Sequence, residues 1–470
     1  MNDKDSISMR IQFIKDLLGG GDLEPLINLD SIDTENFICK KSNDDEASKD
    51  SYDTRVILRK KILDFNNIIS QMGGSLKYIK SGTTGHTFKG ISEDGKLEYA
   101  VKVVAYPKKE RYGSINDIRR PENAEIMMLK LLSMFIVKKQ TPHLTIPYGT
   151  FNASIETFIN STKLDKISEK NERYKEFIDR YKDGDFSSTV SILISEWANR
   201  GDFLDYMRNN YKDFKLMHWK VFFFQLLSVL AIIQSKYPAF RHNDMKANNI
   251  LIQKIDLKRE YYRYLVVGAK YKVPNIGYQI KLWDFDFSCI PGIVDNIKVS
   301  SKWTKKINIT PEQNRYYDIH YFFSTLIRKG FFPQILTDPG VSKEVKDFID
   351  RVVPQKYRDS PDYVHEKGRI LINEEHTTPD ELLKKDIFFA EFRNVDVDST
   401  INNGINKSGE IKYDFSKMLS IDRTDNIDMS FKNKHNKKDN NRNIDLLKLL
   451  GSDAAKAQDK FKFLEDKYLK

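Results

Sequence analysis

The segment FRHNDMKANNILI, residues 240–252, combines a carboxylate, an ammonium and an amide at fixed offsets between two apolar runs. Asp244, Lys246 and Asn249 lie on a stretch too short and too polar to be core. A carboxylate can accept a hydroxyl proton, an ammonium can neutralise phosphate charge, and an amide oxygen is a hard ligand for a divalent cation. The spacing indicates phosphoryl-transfer chemistry, provided that matching groups lie elsewhere in the chain.

Two such groups are Asp284 and Lys102. Asp284 ends the apolar strand of YQIKLWDFDFS, where its carboxylate could share a metal ion with Asn249. Lys102 lies inside the apolar strand YAVKVV, and alternation places it on one face with Ala100 and Val104. A lysine that faces inward needs a carboxylate partner, unless the strand is an edge strand and the ammonium reaches solvent.

One carboxylate and two glycines complete the set. Glu125, in ENAEIMMLKLL, interrupts the apolar stripe of a predicted helix and is the expected partner of Lys102. The competing Glu122 lies on the first helical turn, which favours a solvated role stabilised by the helix dipole. Gly82 and Gly85, in IKSGTTGHTF, would let the backbone approach a polyphosphate, although an ordinary hairpin also explains them.

In combination, these residues resemble a eukaryotic-type protein kinase domain over roughly residues 73–393. YAVKVV resembles the third-strand lysine motif, HNDMKANN the catalytic loop and DFD the metal-binding tripeptide. FNNIISQ, WDFDFS and NRYYDIHYFFSTLIRKG are similar to the divergent serine/threonine kinases of large cytoplasmic DNA viruses, including the poxvirus virion kinase. The resemblance implies an α+β fold with a small β-rich N-lobe and a mainly helical C-lobe. It also implies ATP and Mg²⁺ as cofactors, with Mn²⁺ as an alternative metal.

The resemblance also assigns roles to the residues. Asp244 would accept or orient the substrate hydroxyl proton, and Lys246 would neutralise the transferring γ-phosphoryl group, as in serine/threonine-specific members. Asn249 and Asp284 would hold Mg²⁺. The expected structural supports of the catalytic loop are His242 and Asp318.

The nucleotide would lie against the segment ISEWANRGD, which resembles the hinge between the lobes. Glu196 and Ala198 would bond the adenine edge through backbone groups, Asp202 would meet the ribose, and Ser195 would lie at the back of the pocket. The full nucleotide-binding set expected from the resemblance is Gly82, Gly85, Lys102, Glu125, Glu196, Ala198 and Asp202.

Four departures from the family pattern concern regulation and substrate docking. Lys80 replaces the first glycine of the phosphate loop, which stiffens the loop or brings an ammonium to the phosphates. Asn243 replaces an arginine that pairs with a phosphate on the activation segment, which predicts activity independent of phosphorylation there. Asp286 replaces a glycine and should favour one conformation or perturb the metal. The Ala-Pro-Glu element is missing, since TPE at 310–312 lies too close to Asp318.

Composition divides the chain into four expected segments. They are a flexible N-terminal extension (1–60), an N-lobe (61–198, with an insertion at about 152–189), a C-lobe (199–393, with an insertion at about 254–277) and an Asn/Lys-rich disordered tail (394–470). The second insertion is basic and aromatic and is expected to form an exposed hairpin, with a binding surface as the alternative.

The remaining sequence features concern the cellular setting. Two cysteines, Cys39 and Cys289, fit a reducing compartment and structural roles, and the N-terminus lacks an apolar signal core. The apolar run at 221–233 is expected to be a buried helix, too short to cross a bilayer. These features predict a soluble intracellular protein, in the host cytoplasm and in the virion if the source is viral.

Protein substrates with serine or threonine acceptors are the expected partners, and the oligomeric state stays open. The net charge of +10 allows nucleic-acid binding through the basic tail, but no motif supports it. Two alternatives to an active protein kinase are a nucleotide-binding pseudokinase scaffold and a small-molecule kinase of related fold. Lys246 argues against the second alternative.

Overall fold

The computed structural model describes residues 7–27 and 60–393, apart from positions 74, 83–84, 94, 96, 109–111 and 160–170. A strand-rich first part precedes a mainly helical second part, which confirms the mixed helix and strand content expected from the sequence. Cys39, the predicted tail at 394–470 and part of the predicted N-terminal extension lie outside the described residues.

A five-stranded antiparallel sheet with strand order β1-β2-β3-β5-β4 forms the first part. Lys102 lies on β3 with strands on both sides, opposite Thr87 on β2 and Leu193 on β5. This position excludes the edge-strand alternative for Lys102. The strands are β1 (Ser75–Ser81), β2 (Gly85–Ile91), β3 (Glu98–Pro107), β4 (Pro147–Ser154) and β5 (Phe186–Glu196).

Five helices accompany this sheet among the described residues. The long helix begins at Pro121, where a missing N–H costs nothing because the first helical N–H groups have no intrahelical partner, and its residues are almost all buried. The helices are α1 (Ile7–Leu18), α2 (Phe65–Gln71), α3 (Pro121–Val137), α4 (Glu156–Ile159) and α5 (Glu172–Lys182). The insertion predicted at 152–189 is shorter than expected, because β4 ends at Ser154 and β5 begins at Phe186.

The N-terminal extension differs from the expectation of a flexible 1–60, since residues 7–27 pack onto the sheet. Helix α1 buries Ile7, Ile14 and Leu18, which recur at helical spacing and form one apolar stripe. After the helix, the backbone N–H of Leu26 donates to the carbonyl of Tyr148 on β4 at 2.7 Å. The charged composition averaged over the first 55 residues concealed this short amphipathic segment.

The second part is built around α7 (Leu216–Lys236), a helix of 21 residues. By length and composition α7 could cross a membrane, and 83% of its apolar window is buried inside the fold. The prediction of a buried helix is confirmed. The expectation that it is too short to cross a bilayer was wrong, because the helix extends beyond the apolar run at 221–233 to 21 residues. The other helices are α6 (Phe203–Asn210), α8 (Lys302–Lys305), α9 (Tyr317–Leu326), α10 (Gln334–Thr337), α11 (Lys343–Val352), α12 (Lys356–Asp359), α13 (Pro379–Lys385) and α14 (Ala390–Arg393).

Two antiparallel ribbons complete the second part. The first joins β6 (Ile250–Lys254) to β9 (Tyr278–Leu282). The second, β7 (Tyr261–Val266) and β8 (Ala269–Pro274), is the hairpin predicted for the 254–277 insertion. The hairpin is only partly exposed, because it buries aromatic side chains of one face against Phe224 of α7.

Candidate active site

The β6–β9 ribbon places the two predicted metal ligands at one end. Ile250 pairs with Leu282, so the residues that precede β6 and follow β9 emerge side by side. Asn249 directly precedes β6, and Asp284 lies two residues beyond β9. The 34 positions between Asn249 and Asp284 therefore fold away from these two residues as ribbon and hairpin.

Lys102 contacts Glu125, its predicted partner, and also Asp284, one of the two predicted metal ligands. Its Nζ donates to both oxygens of Glu125, at 2.7 and 2.9 Å, and to Oδ1 of Asp284 at 3.0 Å. The Glu125 side chain is buried, while that of Asp284 is 36% exposed. Thus residues from β3, α3 and the segment after β9 converge on one ammonium group.

The charges of this trio shift one another's pKa values. Burial opposes the charged form of Lys102, but Asp284 and Glu125 outweigh it and raise the pKa of the ammonium. Burial also opposes ionisation of Asp284, yet the neighbouring ammonium of Lys102 holds its pKa well below the ordinary value. For Glu125, burial dominates over Lys102 and raises the pKa to about 7. At neutral pH the ammonium and the Asp284 carboxylate are therefore charged.

Glu122, the competing partner, does not reach Lys102. It is buried and accepts a bond of 3.1 Å from Nε of Arg120. The expectation that Glu122 is solvated was wrong, because the arginine supplies a buried partner in place of water. The choice of Glu125 over Glu122 agrees with the observed contact.

The backbone at Asp284 is held in the left-handed region, with φ 63° and ψ 63°. A non-glycine residue there stores strain, and such strain persists only where the surroundings fix the conformation. Phe285 is fully buried beside the His242 ring at a centroid distance of 5.0 Å. His242 Nε2 also lies 2.9 Å from the carbonyl oxygen of Trp283. His242 thus supports the conformation that directs Asp284 toward Lys102.

The catalytic loop is closed by contacts between its own polar residues. Asn249 Nδ2 donates to the backbone carbonyl of Asp244 at 2.9 Å and to its Oδ2 at 2.8 Å. Lys246 Nζ lies 3.2 Å from the same Oδ2. The three residues singled out by their spacing therefore form one cluster, in which the amide group of Asn249 orients the Asp244 carboxylate.

Asp318 fastens this loop to α9 by the contact predicted for it. Its carboxylate accepts the backbone N–H groups of His242 at 2.7 Å and of Asn243 at 2.9 Å. The side chain is fully buried, and burial raises its pKa despite the opposing effect of His242. Asn243 itself has a positive φ of 63°, so this buried carboxylate holds a strained turn in place.

Arg369 is a residue of the site that the sequence interpretation missed. Its Nη2 donates to Oδ1 of Asp244 at 2.6 Å, and its Nη1 donates to the hydroxyl of Tyr317 at 3.0 Å and to the carbonyl of Asn243. The guanidinium lies 4.0 Å from the ring centroid of Tyr321 and is almost fully buried. Both oxygens of the Asp244 carboxylate therefore have fixed donors.

Three of the expected nucleotide-binding residues, Asp202, Gly82 and Gly85, make no contact with the cluster around Lys102 among the hydrogen bonds and ion pairs of the described residues. Asp202 accepts the backbone N–H of Asp205 at 3.0 Å and caps α6, so one carboxylate oxygen has a structural role. Gly85 lies against β3, where a Cβ would approach the carbonyl oxygen of Val103 to 1.8 Å. Close strand packing explains Gly85 without a phosphate. A Cβ at Gly82 would meet only open space apart from one contact at 3.9 Å.

The segment predicted to be the hinge contacts α1 through the side chain of Glu196. Arg10 donates to both carboxylate oxygens of Glu196, at 2.6 and 2.7 Å, and to the carbonyl of Leu144 at 2.7 Å. The Glu196 N–H donates to the carbonyl of Ile146 at 3.0 Å. The Glu196 side chain therefore faces α1, and Ala198, two residues on, is buried. Ser195 is buried on β5, and its Oγ has no hydrogen-bond partner among the described residues.

The segment after Asp284, residues 285–310, corresponds in position to the activation segment expected from the resemblance. Contacts between its own side chains fix its first part. Asp286 pairs with Lys298, whose ammonium lies 3.7 Å from the ring centroid of Phe287. Asn296 Nδ2 donates to the carbonyls of Asp286 at 2.9 Å and Ser288 at 3.2 Å. The Asp286 carboxylate, which replaces a glycine, is thus held by a lysine of the same segment.

Asn249 and Asp284 fit a divalent cation by the chemistry of their donors. The amide nitrogen of Asn249 is committed to Asp244, which leaves its oxygen as the free ligand atom. Within the described residues, no three His, Cys, Asp or Glu side chains cluster tightly enough to hold a metal ion. A carboxylate and an amide alone leave most of an octahedral shell to water and to substrate oxygens, as Mg²⁺ favours.

Comparison with known proteins finds similarity to viral proteins named as serine/threonine protein kinases. Residues 203–388 match the family model described as "Poxvirus serine/threonine protein kinase". A protein of Acanthamoeba polyphaga mimivirus, named "Putative serine/threonine-protein kinase R400", is 50% identical over 391 residues, which cover 82% of this chain and 80% of the relative. Serine/threonine-protein kinase 2 of swinepox virus is 33% identical over 141 residues, or 28% of either chain. The monkeypox virus protein of the same name is also 33% identical, over 139 residues and 28% of either chain.

Proposed function

The chain belongs to the serine/threonine protein kinases of large DNA viruses, and we propose that it transfers the γ-phosphoryl group of ATP to serine and threonine hydroxyls of proteins, with Mg²⁺. The observation that carries the proposal is the single cluster formed by Lys102, Glu125 and Asp284, residues up to 182 positions apart. Groups whose pKa values are shifted by burial and by a specific charged partner cluster at functional sites, and Lys102, Glu125 and Asp284 are such a group.

In the proposed reaction, Lys102 binds the α- and β-phosphates and Glu125 orients its ammonium. The sheet and the helical part act as two lobes with the nucleotide between them, against the backbone of the hinge at Glu196 and Ala198. Asn249 and Asp284 would hold Mg²⁺, which supplies positive charge for the phosphate oxygens. Because the carboxylate of Asp284 is partly exposed and ionised, it is suited to that role.

Asp244 orients the acceptor hydroxyl and takes its proton as the oxygen attacks phosphorus and ADP leaves. The transition state is loose and asks for little base strength, so the position of the carboxylate matters most. Asn249 and Arg369 provide that fixed position through bonds to the two carboxylate oxygens. Lys246, next to Asp244, neutralises charge on the transferring group.

The test is phosphoryl transfer from γ-labelled ATP by the full chain, with a panel of protein acceptors, aminoglycosides and choline. We expect label on protein serine and threonine, and at least a hundredfold less with Asp244→Asn, which retains the size of the side chain. Nucleotide binding is measured in parallel by calorimetry, with and without Mg²⁺.

Three outcomes would contradict the proposal. Nucleotide binding without transfer to any acceptor would indicate a pseudokinase scaffold. Label only on small molecules would indicate a small-molecule kinase. Equal transfer by Asp244→Asn would show that Asp244 is not the catalytic carboxylate.

A further inference from the structure

The activation segment carries a basic and aromatic patch, formed by Lys302, Trp303, Lys305 and Lys306. All four residues are exposed, and the indole of Trp303 is 51% accessible to solvent. Trp303 is the one exposed tryptophan among the described residues, and tryptophan is enriched among the residues that contribute most to binding at protein interfaces.

The patch has a fixed orientation. Thr304 lies between these residues but is fully buried, and its hydroxyl donates to the carbonyls of Ser301 at 2.8 Å and Val299 at 3.0 Å. The ring of Trp303 lies edge-on to Phe287 at a centroid distance of 6.1 Å. The short helix is therefore anchored from inside, and its exposed side chains point outward because of that anchor.

The loop that bears the patch is anchored at both ends to Arg241, which directly precedes the predicted catalytic loop. At the beginning of the segment, Cys289 and Arg241 exchange backbone hydrogen bonds of 3.0 and 3.2 Å. At its end, the Arg241 side chain donates to the carbonyl of Asn308 and to Thr310 Oγ1, the latter at 3.0 Å. Both ends of the loop that bears the patch thus meet Arg241, three positions before Asp244.

The three lysines form no ion pair within the part of the chain that the structure describes. The neighbouring Lys298, by contrast, is committed to Asp286. Three unpaired ammonium groups within five positions repel one another, and a ligand with carboxylates relieves that repulsion.

On the basis of the proposed function, we infer that this patch recognises acidic residues that flank the acceptor serine or threonine. The lysines select aspartate and glutamate side chains, and the indole packs against the peptide backbone or an apolar neighbour. The substrates are thus acidic protein segments. Because both ends of the loop that bears the patch bond Arg241, three positions before Asp244, we expect a peptide substrate and not nucleic acid as its ligand.

The test measures binding separately from catalysis. Fluorescence anisotropy of the full chain is recorded with a labelled peptide of one serine flanked by aspartates, with a lysine-flanked counterpart and with a labelled single-stranded oligonucleotide. We expect the acidic peptide to bind more tightly than the basic one. Lys302→Glu/Lys305→Glu/Lys306→Glu should raise its Kd about tenfold, and added salt should do the same to the wild type.

The matched control is Lys175→Glu/Lys270→Glu/Lys329→Glu, which reverses the same charge at exposed positions on other elements. The control should leave the Kd within about twofold, and Trp303→Ala should raise it with no change of charge. Equal affinity for both peptides, or equal loss in the two triple variants, would overturn the inference. The inference would also be overturned if the oligonucleotide bound more tightly than the acidic peptide and the triple lysine variant of the patch abolished that binding. Absence of phosphoryl transfer with intact acidic-peptide binding would refute the kinase activity alone.

Discussion

The ammonium of Lys102 has two carboxylate partners, and removing it is costly because one of them, Glu125, is buried. Lys102→Ala would leave Glu125 buried without a cation, which should lower the free energy of unfolding by about 3 kcal/mol and abolish transfer. Adding Glu125→Gln to this variant should restore most of the stability and none of the activity. Denaturant unfolding and the transfer assay measure the two effects. Transfer by Lys102→Ala near the wild-type rate would refute the role of Lys102.

Arg369 acts, in our interpretation, by positioning Asp244. Arg369→Ala should lower kcat about a hundredfold with little change in the KM of the peptide, and Arg369→Lys should recover part of the rate. In an Asp244→Asn background the same change should have little further effect, because its target is already altered. Independent, multiplying losses in the double variant would contradict a positioning role.

The residues found from the sequence are those whose types and offsets recur in short motifs. Lys102, Asp244 and Asn249 belong to that group, because their short motifs occur together and in the order that phosphoryl transfer requires. Arg369 and Arg10 were not predicted, because their carboxylate partners lie 125 and 186 positions away. No local pattern encodes such a contact, so only the folded chain reveals it.

At the scale of elements, the strands and long helices were predictable from their apolar periodicity, whereas α1 was not. Its docking places Arg10 against Glu196, in the segment proposed as the hinge. Arg10→Ala should raise the KM for ATP several-fold while kcat at saturating ATP stays within about twofold, because Glu196 loses its partner.

The control for the hinge prediction is Lys61→Ala, which removes an exposed ion pair with Glu24 from the same region. An exposed pair contributes little, so this variant should match the wild type. A loss of kcat in Arg10→Ala, with KM unchanged, would place the effect of α1 somewhere other than the hinge.

The activation segment is held by contacts that need no added phosphate. Lys298 pairs with Asp286, and the N–H of Ile297 donates to the carbonyl of Arg119 at 2.8 Å. Treatment with a phosphatase should therefore leave most of the activity, as the asparagine at position 243 predicts. Lys298→Ala should reduce it. A large loss after dephosphorylation, verified by mass spectrometry, would show that a phosphate is required.

For the molecule as a whole, Lys60 makes stability depend on pH. Burial lowers its pKa to about 7, with opposite smaller effects of Glu122 and Arg120, and its Nζ donates to Ser191 Oγ at 2.7 Å. Between pH 7 and 10 the unfolded chain binds a proton here that the folded chain does not, so the contribution of Lys60 to stability rises with pH. The excess stability of Lys60→Met over wild type should shrink across this range.

Chemical unfolding of both proteins at several pH values tests this prediction. Other buried groups titrate equally in the two proteins, so their difference isolates Lys60. A difference that stays constant from pH 7 to 10 would show that the Lys60 amine remains charged in the folded state.

In the ribbon of β6 and β9, the number of residues between Asn249 and Asp284 does not determine how far apart these two residues lie. The chain leaves the metal-ligand end along β6, turns through the hairpin at the far end and returns along β9. Length added at the Val267–Gly268 tip therefore moves outward, while the register of Ile250 with Leu282 keeps Asn249 and Asp284 together. An epitope or fluorophore could therefore be inserted at this tip, because the insertion would lie at the end of the ribbon and hairpin opposite Asn249 and Asp284 and would leave these two residues in place.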